Sequence, residues 1–172
     1  MLKKIEEKDF DKIYALMDLS FPVDEHRPYE GQKALLKRPF YQLYGAKEGE
    51  EIRGFLAVWE FEEMVYVEHF AVNPTFRNGG MGASMLRELE TMLQKRICLE
   101  VEYPENEMAI RRIGFYERNG FSLNEYPYIQ PALAEGQNEI PLKIMTTGGT
   151  VDPEEFERLK ALLYRHVFGI LD

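Results

Sequence analysis

The sequence contains few of the residues that build disulfides and metal centres. Its 172 residues include one cysteine, Cys98, and three histidines at scattered positions. A single cysteine cannot form a disulfide within the chain, and no Cys/His spacing typical of a zinc site is present. A chain of this length buries enough apolar surface to fold without either support. The composition therefore predicts an ordinary globular protein with no disulfide framework and no bound metal.

Long apolar runs and positive charge are also scarce. No stretch approaches the roughly 18 uncharged apolar residues that a membrane span requires. The N-terminal residues MLKKIEEK have no apolar run behind their lysines, so they do not predict a signal peptide. The net charge is −9, whereas nucleic-acid binding requires a basic surface. We therefore expect a cytoplasmic protein without nucleic-acid or membrane partners.

The sequence instead shows an ordered succession of helix and strand patterns. Residues 9–20 space Phe10, Ile13 and Met17 by three and four, which predicts an amphipathic helix capped by Asp9. A helix over 28–37 and strands over 41–46, 52–61 and 64–72 are predicted next. They are followed by a helix after the glycine-containing turn 79–82, a strand over 97–101 and a helix over 106–119 with Gly120 as its C-cap. The last predicted elements are strands over 121–123 and 140–145 and a helix over 152–166.

This order of elements predicts an α+β (mixed α/β) fold. Strands joined by short hairpins pair antiparallel, whereas the strand–helix–strand passage from residue 64 to 101 implies a parallel pair reached by a right-handed crossover. We therefore expect a central mixed, mostly antiparallel sheet with helices on both faces. Residues 1–172 are predicted to form a single domain, with a core of about 1–147 and a C-terminal helical extension of about 152–167.

The most informative segment is the glycine-containing turn between the third predicted strand and the following helix. The N-terminus of a helix carries unpaired N–H groups and partial positive charge, and glycines let a ligand approach the backbone closely. Arg77 adds a charge that suits a phosphate. The turn lacks the lysine of a P-loop, and Met85 stands where a dinucleotide fingerprint needs its third glycine. An anion cradle, a nucleotide-binding module and a plain glycine-rich turn all stay open at this point.

Two motifs in this sequence resemble those of the GNAT superfamily of N-acetyltransferases. Arg77-Asn78-Gly79-Gly80-Met81-Gly82 is similar to the family's pyrophosphate-binding motif, Gln/Arg-x-x-Gly-x-Gly/Ala, and Phe70-Ala71-Val72-Asn73-Pro74 resembles the end of its fourth strand. About 40 residues later, Phe115-Tyr116-Glu117-Arg118-Asn119-Gly120-Phe121 resembles its second signature, a helix ending in Tyr-x-x-x-Gly-Phe. The resemblance covers roughly residues 1–147.

The resemblance implies a GNAT-like acyl-CoA N-acyltransferase fold with a splayed parallel strand pair. The predicted C-terminal helix is an extra element that the core family pattern does not require. The resemblance also implies an acetyl-CoA-dependent N-acetyltransferase that acts on a primary amine of a small molecule or peptide, with acetyl-CoA as co-substrate and no metal. The residues that it assigns to CoA binding are Phe70, Ala71, Val72, Arg77, Asn78, Gly79, Gly80, Met81, Gly82, Ala83 and Asn106. Within that set, the amides of residues 77–83 hold the pyrophosphate, and the backbone near Phe70 and Val72 pairs with the pantetheine arm and the thioester carbonyl.

Asn106 and Tyr116 lie on the next helix of the family pattern. The resemblance implies that Asn106 touches the pantetheine arm and that Tyr116 is the general acid for the departing thiolate. This sequence departs from the family in having seven residues from Ala109 to Tyr116, where four are usual. The alternative for Tyr116 is a core tyrosine that packs beside Phe115 and Phe121.

Glu68 is the candidate general base because a carboxylate in an apolar strand is costly unless it is paired or functional. Regular alternation predicts Glu68 on the strand face shared with Tyr66 and Phe70, and His69 on the opposite face with Val65 and Val67. The alternative for Glu68 is a surface-facing or ion-paired glutamate. The ordinary pKa of His69 suits a base better, but the residue is predicted to point away unless a bulge interrupts the strand.

The remaining predictions concern the reaction route, the acceptor and the assembly. Cys98 is predicted to be a buried small side chain, which favours direct transfer in a ternary complex over an acyl-enzyme. The acceptor site is expected between segments 23–29 and 126–128, whose polar residues Asp24, Glu25, Tyr29 and Tyr128 suit a cationic amine or are ordinary loop polarity. A non-catalytic acyl-CoA-binding or sensor module with the same fold is the alternative function. A homodimer is left open by the apolar stripe of the last helix, Phe156, Leu159, Leu162 and Leu163.

Overall fold

A computed structural model describes residues 1–170, over which the chain forms seven strands and five α-helices. The chain divides into two compact units, Met1–Lys95 and a second that begins at Arg96. The pattern-based elements are all present, with ends shifted by a few residues except in the sixth strand, which is much longer than predicted. The single-domain assignment stays a prediction.

The first unit contains a four-stranded antiparallel sheet in the order β1-β2-β3-β4. Its elements are β1 (Leu2–Lys4), α1 (Phe10–Ser20), α2 (Tyr29–Ala34), β2 (Tyr41–Glu48), β3 (Glu51–Glu60), β4 (Met64–Val72) and α3 (Met81–Leu93). The short β1 was not predicted, because two of its three residues are lysines and its register depends on pairing with residues 44–46 of β2.

Helices cover both faces of this sheet. On β3, Gly54 faces Met85 of α3, while Ala57 lies three residues further on and pairs with His69, whose ring packs against Phe21 just beyond α1. Successive residues of a strand point to opposite faces, so α3 and the end of α1 lie on opposite sides. The core between these layers is apolar: Phe10, Ile13, Met17, Phe55, Leu56, Val58, Met85 and Leu89 are at most 2% exposed.

The predicted cap of α1 is wrong. Asp9 makes no side-chain hydrogen bond to the helix. Its carboxylate instead accepts a hydrogen bond from Lys47 Nζ on β2 at 2.8 Å. This ion pair holds the pKa of Asp9 below its ordinary value, chiefly through the Lys47 hydrogen bond. A long-range partner has therefore taken the carboxylate that the local pattern assigned to the helix terminus.

The second unit places β7 between β5 and β6, with antiparallel pairing to both. Its elements are β5 (Arg96–Val101), α4 (Glu107–Arg118), β6 (Phe121–Gln130), β7 (Ile140–Thr147) and α5 (Pro153–Leu162), which continues as one wider helical turn over Leu163–Val167. Strand β6 has 10 residues, far more than the predicted 121–123. Its register slips between Asn124 and Tyr128, around Pro127, which explains why its polar middle reads as a turn.

Helix α5 packs within its own unit. The helix begins where the sequence predicts it, and Asp152 caps it by accepting a hydrogen bond from the Glu155 amide at 2.8 Å. The Phe156 ring stacks on Tyr126 of β6 with centroids 4.7 Å apart, and Leu159 and Leu163 are buried. The apolar stripe therefore has an intramolecular partner.

The α+β fold class with a mixed, mostly antiparallel sheet is confirmed. Gly120 adopts φ +91° after α4, in agreement with its predicted role as a C-cap. Within residues 1–170, none of the helices combines the length and apolarity needed to cross a membrane.

Candidate functional site

Residues 77–83, which we call the cradle, connect the end of β4 to the first turn of α3. Asn73 opens the turn by accepting a hydrogen bond from the Thr75 amide at 3.0 Å. Asn78 and Gly80 have φ values of +70° and +78°, in the left-handed region. Glycine adopts this region without strain, and asparagine tolerates it better than most residues. The NGG sequence thus supplies the sharp change of direction that puts a helix terminus directly after the strand.

The cradle presents backbone donors that no carbonyl uses. Ser84 is the first residue of α3 whose N–H bonds within the helix, to the Gly80 carbonyl at 3.1 Å. In the described part of the chain, the N–H groups of residues 78–83 donate to no backbone carbonyl. Residues 77–80 are exposed, and the first turn of α3 carries no acidic side chain. Unpaired donors at the positive end of a helix dipole form a site that fits an anionic group such as a pyrophosphate.

Arg77 lies at the entrance of the cradle. Its side chain is exposed, and its Nε donates to the carbonyl of Val72, the last residue of β4, at 3.2 Å. The guanidinium therefore lies over the turn where the strand ends. From this position it can add a charged donor to the backbone donors of the cradle.

Contacts with β3 hold the turn and α3 in place. The Asn73 amide donates to the Arg53 carbonyl at 2.7 Å, and the Arg53 guanidinium lies 4.6 Å from the centroid of the Phe76 ring. A Cβ atom added at Gly54 would lie 2.9 Å from Met85 Sδ and 3.0 Å from the Ala71 carbonyl. Only glycine lets α3 approach the sheet this closely. The sequence analysis did not identify this role, because an isolated glycine in a strand does not show what approaches it.

Strand β4 contains the bulge that the sequence analysis named as an exception. Val67 pairs with Val58 and His69 pairs with Ala57, so Glu68 is an extra residue in the ladder. Tyr66 and His69 consequently share the face of their partners Trp59 and Ala57. The prediction that regular alternation puts His69 with Val65 and Val67, opposite Tyr66, is therefore wrong.

Glu68 forms a buried ion pair at this bulge. One carboxylate oxygen accepts from Arg27 Nη1 at 2.8 Å and the other from Trp59 Nε1 at 2.8 Å. The side chains of Glu68 and Arg27 are only 1% and 8% exposed. Burial alone would raise the pKa of Glu68, but the Arg27 guanidinium and the Trp59 hydrogen bond help to hold that pKa below its ordinary value. The carboxylate is thus charged and engaged at both oxygens, and its role as base stays a prediction.

Phe70, Ala71 and Val72 are the last three residues of β4. They pair with Leu56, Phe55 and Gly54 of β3. Their predicted backbone contacts with the pantetheine arm and the thioester stay predictions. The structure shows that they lead directly into the cradle, since only the Asn73–Phe76 turn separates Val72 from Arg77.

The second unit carries the other predicted site residues. Tyr116 is 8% exposed on α4, and its ring makes edge contacts with Phe115 and Phe121 at centroid distances of 5.4 and 5.5 Å. Burial raises the pKa of Tyr116 to about 12, although the positive charge of Arg112 lowers that pKa in part. The hydroxyl is therefore protonated throughout the physiological range. Packing and a proton-donor role are compatible here, and the latter stays a prediction.

Asn106 and Cys98 also have defined local roles. Asn106 is the exposed N-cap of α4, and its Oδ1 accepts from the Ala109 amide at 2.9 Å. Its amide nitrogen is the group that the predicted pantetheine contact would use. Cys98 is fully buried in β5, and burial raises the pKa of its thiol well above the ordinary value. A neutral buried thiol is a poor nucleophile.

Of the suggested acceptor-binding residues, Tyr128 is not at the surface. It is 2% exposed, and its hydroxyl donates to Glu100 at 2.6 Å. Tyr29 is half-buried and donates a short hydrogen bond to Asp11. The Glu25 carbonyl accepts from His69, so segment 23–29 is bonded to β4 through both Glu25 and Arg27. The sequence analysis missed this attachment, since Arg27 and Glu68 are 41 residues apart.

Comparisons with known proteins agree with the motifs. The sequence model of the acetyltransferase (GNAT) family matches residues 10–121. A solved structure from Bacteroides thetaiotaomicron, assigned to the GNAT acetyltransferases, is 36% identical over 99% of both chains, with a TM-score of 0.91. No curated protein matches the sequence.

More distant solved structures share the fold. The ribosomal-protein-S18-alanine N-acetyltransferase from Escherichia coli has a TM-score of 0.65 at 19% identity, over 89% of this chain and 96% of that one. An aminoglycoside 6'-N-acetyltransferase complexed with coenzyme A has a TM-score of 0.64 at 15% identity, over 86% of this chain and 96% of that one. The family match and the 36% identical structure decide the assignment: this chain belongs to the GNAT family and is a GNAT-type N-acetyltransferase.

Proposed function

We propose that this enzyme transfers the acetyl group of acetyl-CoA to a primary amine by direct attack in a ternary complex. The observation that carries the proposal is the cradle. Among residues 1–170, no backbone carbonyl accepts from the six consecutive N–H groups of residues 78–83, which lie at a helix terminus without acidic side chains. The aminoglycoside acetyltransferase of the same fold is a complex with coenzyme A, and a pyrophosphate is the part of that molecule that such donors suit.

The cradle and Arg77 would bind the donor substrate, and β4 would orient it. The amides of Asn78 to Ala83 would hold the pyrophosphate, and Arg77 would add a charge-assisted hydrogen bond. The backbone of Phe70 to Val72 would align the pantetheine arm, with Asn106 as a further contact. Fixed donors of this kind act by positioning the thioester for attack, which avoids the entropic cost of a chance encounter.

Tyr116 is proposed as the proton donor to the departing thiolate. Full transfer from a hydroxyl of pKa about 12 to a thiolate whose thiol has a pKa of about 8.5 is uphill by about 5 kcal/mol. A hydrogen bond that strengthens as charge develops on sulfur gives the stabilisation without completing that transfer. The raised pKa has a second consequence: the hydroxyl keeps its proton, and so remains a donor, at pH values well below 12.

Direct transfer is preferred because the chain offers no available thiol. Cys98, the single cysteine, is fully buried with a raised pKa. In the direct route the amine nitrogen bonds to the acetyl carbon, the C–S bond breaks, and its electron pair leaves on sulfur. Glu68 is the base candidate from the sequence, and its use would require the carboxylate to act from within its ion pair with Arg27.

Acetyl-CoA consumption over a panel of primary amines tests the proposal. The panel should include polyamines, aminoglycosides and peptides with free N-termini, with thiol release followed for each. We expect CoA release that depends on at least one amine. Mass spectrometry of protein mixed with acetyl-CoA alone should show no covalent acetyl adduct. An adduct formed and discharged at the catalytic rate would overturn direct transfer, and tight CoA binding without turnover on any amine would favour the non-catalytic sensor module.

A further inference from the structure

His69 lies beside the bulge of β4 with one ring nitrogen engaged and the other unused. Its side chain is 2% exposed, and Nε2 lies 2.6 Å from the carbonyl oxygen of Glu25. A carbonyl can only accept, so Nε2 carries the proton and donates it. Within the described residues, Nδ1 is buried and has no hydrogen-bond partner. A buried polar atom without a partner is rare enough in a folded protein to require an explanation.

The hydrogen bond from Nε2 determines what Nδ1 can do. In a neutral imidazole with the proton on Nε2, the Nδ1 lone pair is an acceptor. The titratable groups around the ring are Glu68 on the same strand, and Arg27 and His26 on the segment packed against it. Burial lowers the pKa of His69 below its ordinary value, with Glu68 opposing this effect and Arg27 and His26 adding to it. At neutral pH the ring is therefore uncharged, and the Nδ1 lone pair is free to accept a hydrogen bond.

Both carboxylate oxygens of Glu68, in contrast, are already engaged. Each of its oxygens already receives a hydrogen bond at 2.8 Å, from Arg27 and from Trp59. Its position nevertheless matters, since the Glu68–Arg27 pair attaches the segment that also supplies the Glu25 carbonyl. The pair therefore helps to hold the Glu25 carbonyl in place. The hydrogen bond that this carbonyl accepts keeps the proton of His69 on Nε2.

We propose that His69 Nδ1 is the general base that removes the proton from the attacking amine, directly or through one water, and that Glu68 is a positioning residue. The proposal rests on the proposed acetyl transfer. As the nitrogen–carbon bond forms, an ammonium proton passes to Nδ1 and leaves a histidinium. The C–S bond then breaks, the sulfur is protonated, and the histidinium returns its proton to solvent.

His69→Gln is the decisive variant because the Gln amide nitrogen can replace Nε2 as donor to Glu25 while the basic lone pair is lost. We expect kcat to fall about 10²–10⁴-fold, the range of a positioned general base, with acetyl-CoA affinity unchanged. In the wild type, kcat/KM should fall as the pH drops through the His69 pKa, below about 6.5. We call this fall the acidic limb of the pH profile, and it should disappear in His69→Gln. A variant that keeps both wild-type turnover and the acidic limb would overturn the proposal.

Glu68→Gln separates the two base candidates. The Gln amide still offers an acceptor to Trp59, and His69 is unchanged. We therefore expect the acidic limb to persist in this variant, even if the rate is reduced by loss of positioning. If the limb disappears in Glu68→Gln and persists in His69→Gln, Glu68 is the base and our proposal fails.

Nitrogen NMR of the three histidines gives a readout that does not require turnover. We expect His69, identified by its absence in His69→Gln, to have its proton on Nε2 and a pKa below about 6.5. A proton on Nδ1 would overturn the proposal whether or not the enzyme acetylates any amine tested. Absence of amine acetylation with the expected tautomer would instead count against the proposed function.

Discussion

Tyr116 offers a direct test of the chemistry at the scale of one residue. Tyr116→Phe removes the hydroxyl and keeps the ring that contacts Phe115 and Phe121. We expect the turnover number to fall about 10²–10⁴-fold with little change in the dissociation constant of acetyl-CoA. Because the pKa of Tyr116 is about 12, the wild-type rate should show no decline from its ionisation below about pH 11. Steady-state kinetics and calorimetry measure both.

Tyr126→Phe is the matched control for Tyr116→Phe. It also removes a tyrosine hydroxyl from the second unit, one that donates to the Val151 carbonyl at 2.7 Å. This variant should lose some stability and keep its turnover number. Equal turnover in the wild type and Tyr116→Phe, measured where chemistry limits the rate, would return Tyr116 to a packing role.

Arg77 tests the charge at the entrance of the cradle. Arg77→Ala should weaken acetyl-CoA binding by about 1.5–3 kcal/mol, the scale of a charged hydrogen bond. Dephospho-CoA should suffer a similar loss if Arg77 contacts the pyrophosphate. Arg87→Ala is the control, since Arg87 is an exposed arginine on α3 beyond the first turn. A penalty that vanishes with dephospho-CoA would place Arg77 at the ribose phosphate instead.

The buried Arg27–Glu68 pair predicts an asymmetric stability result. Glu68→Gln leaves the Arg27 charge without its carboxylate, which should lower the free energy of unfolding by about 3–5 kcal/mol. Adding Arg27→Met removes the remaining charge and should recover part of that loss. Denaturant unfolding of both variants measures the difference. If the double variant is less stable than Glu68→Gln alone, desolvation of the Arg27 charge is not the dominant cost.

At the scale of elements, the cradle depends on a strand that ends where a helix begins. Gly82→Val introduces a side chain among the amides proposed to hold the pyrophosphate. We expect acetyl-CoA affinity to fall about 10- to 100-fold, which corresponds to one lost charge-assisted hydrogen bond. Circular dichroism and calorimetry check the fold and the affinity separately.

Ser84→Val controls for the effect of valine on the helix. Ser84 is exposed in the same turn of α3, but its N–H already bonds to the Gly80 carbonyl. This variant introduces the same β-branched side chain in the same turn and should bind acetyl-CoA as the wild type does. Equal affinities of Gly82→Val and the wild type would remove Gly82 from the binding site.

At the scale of the whole molecule, α5 is part of the second unit's core. Removing residues 152–172 would expose the surface that Phe156, Leu159, Leu163 and Val167 cover. Each such side chain contributes about 1.5–3 kcal/mol when buried, and the total approaches the entire stability of a typical domain. We therefore expect the truncated chain to melt at a much lower temperature and to bind a hydrophobic dye.

A chain that ends at Phe168 is the control for this truncation, because it keeps all four buried side chains. Its melting temperature should stay close to that of the full chain. If the chain that lacks residues 152–172 melts like the full chain, α5 is an appendage that contributes little to the core.

Local patterns sufficed for most elements and for the cradle. Helix and strand periodicities and the Gly120 C-cap depend on neighbours a few residues away, so they can be recognised in the sequence. The cradle is local for the same reason: a strand end, an NGG turn and a helix start follow one another within about ten residues. Tyr116 was singled out by a motif that spans only one helix end.

Only the tertiary structure decided the features that depend on distant partners. Asp9 pairs with Lys47 instead of capping α1, β1 exists because β2 pairs with it, and Glu68 binds Arg27 across 41 residues. The bulge of β4 follows from its register with β3, and it places His69 on the side of Phe21 and Glu25. The sequence by itself thus determined most of the elements, the sharp turn from β4 into α3 and the motifs that indicate the family. The partners of the buried charges, on which our proposal of His69 over Glu68 as base rests, arise only when strands and loops far apart in the chain are packed together.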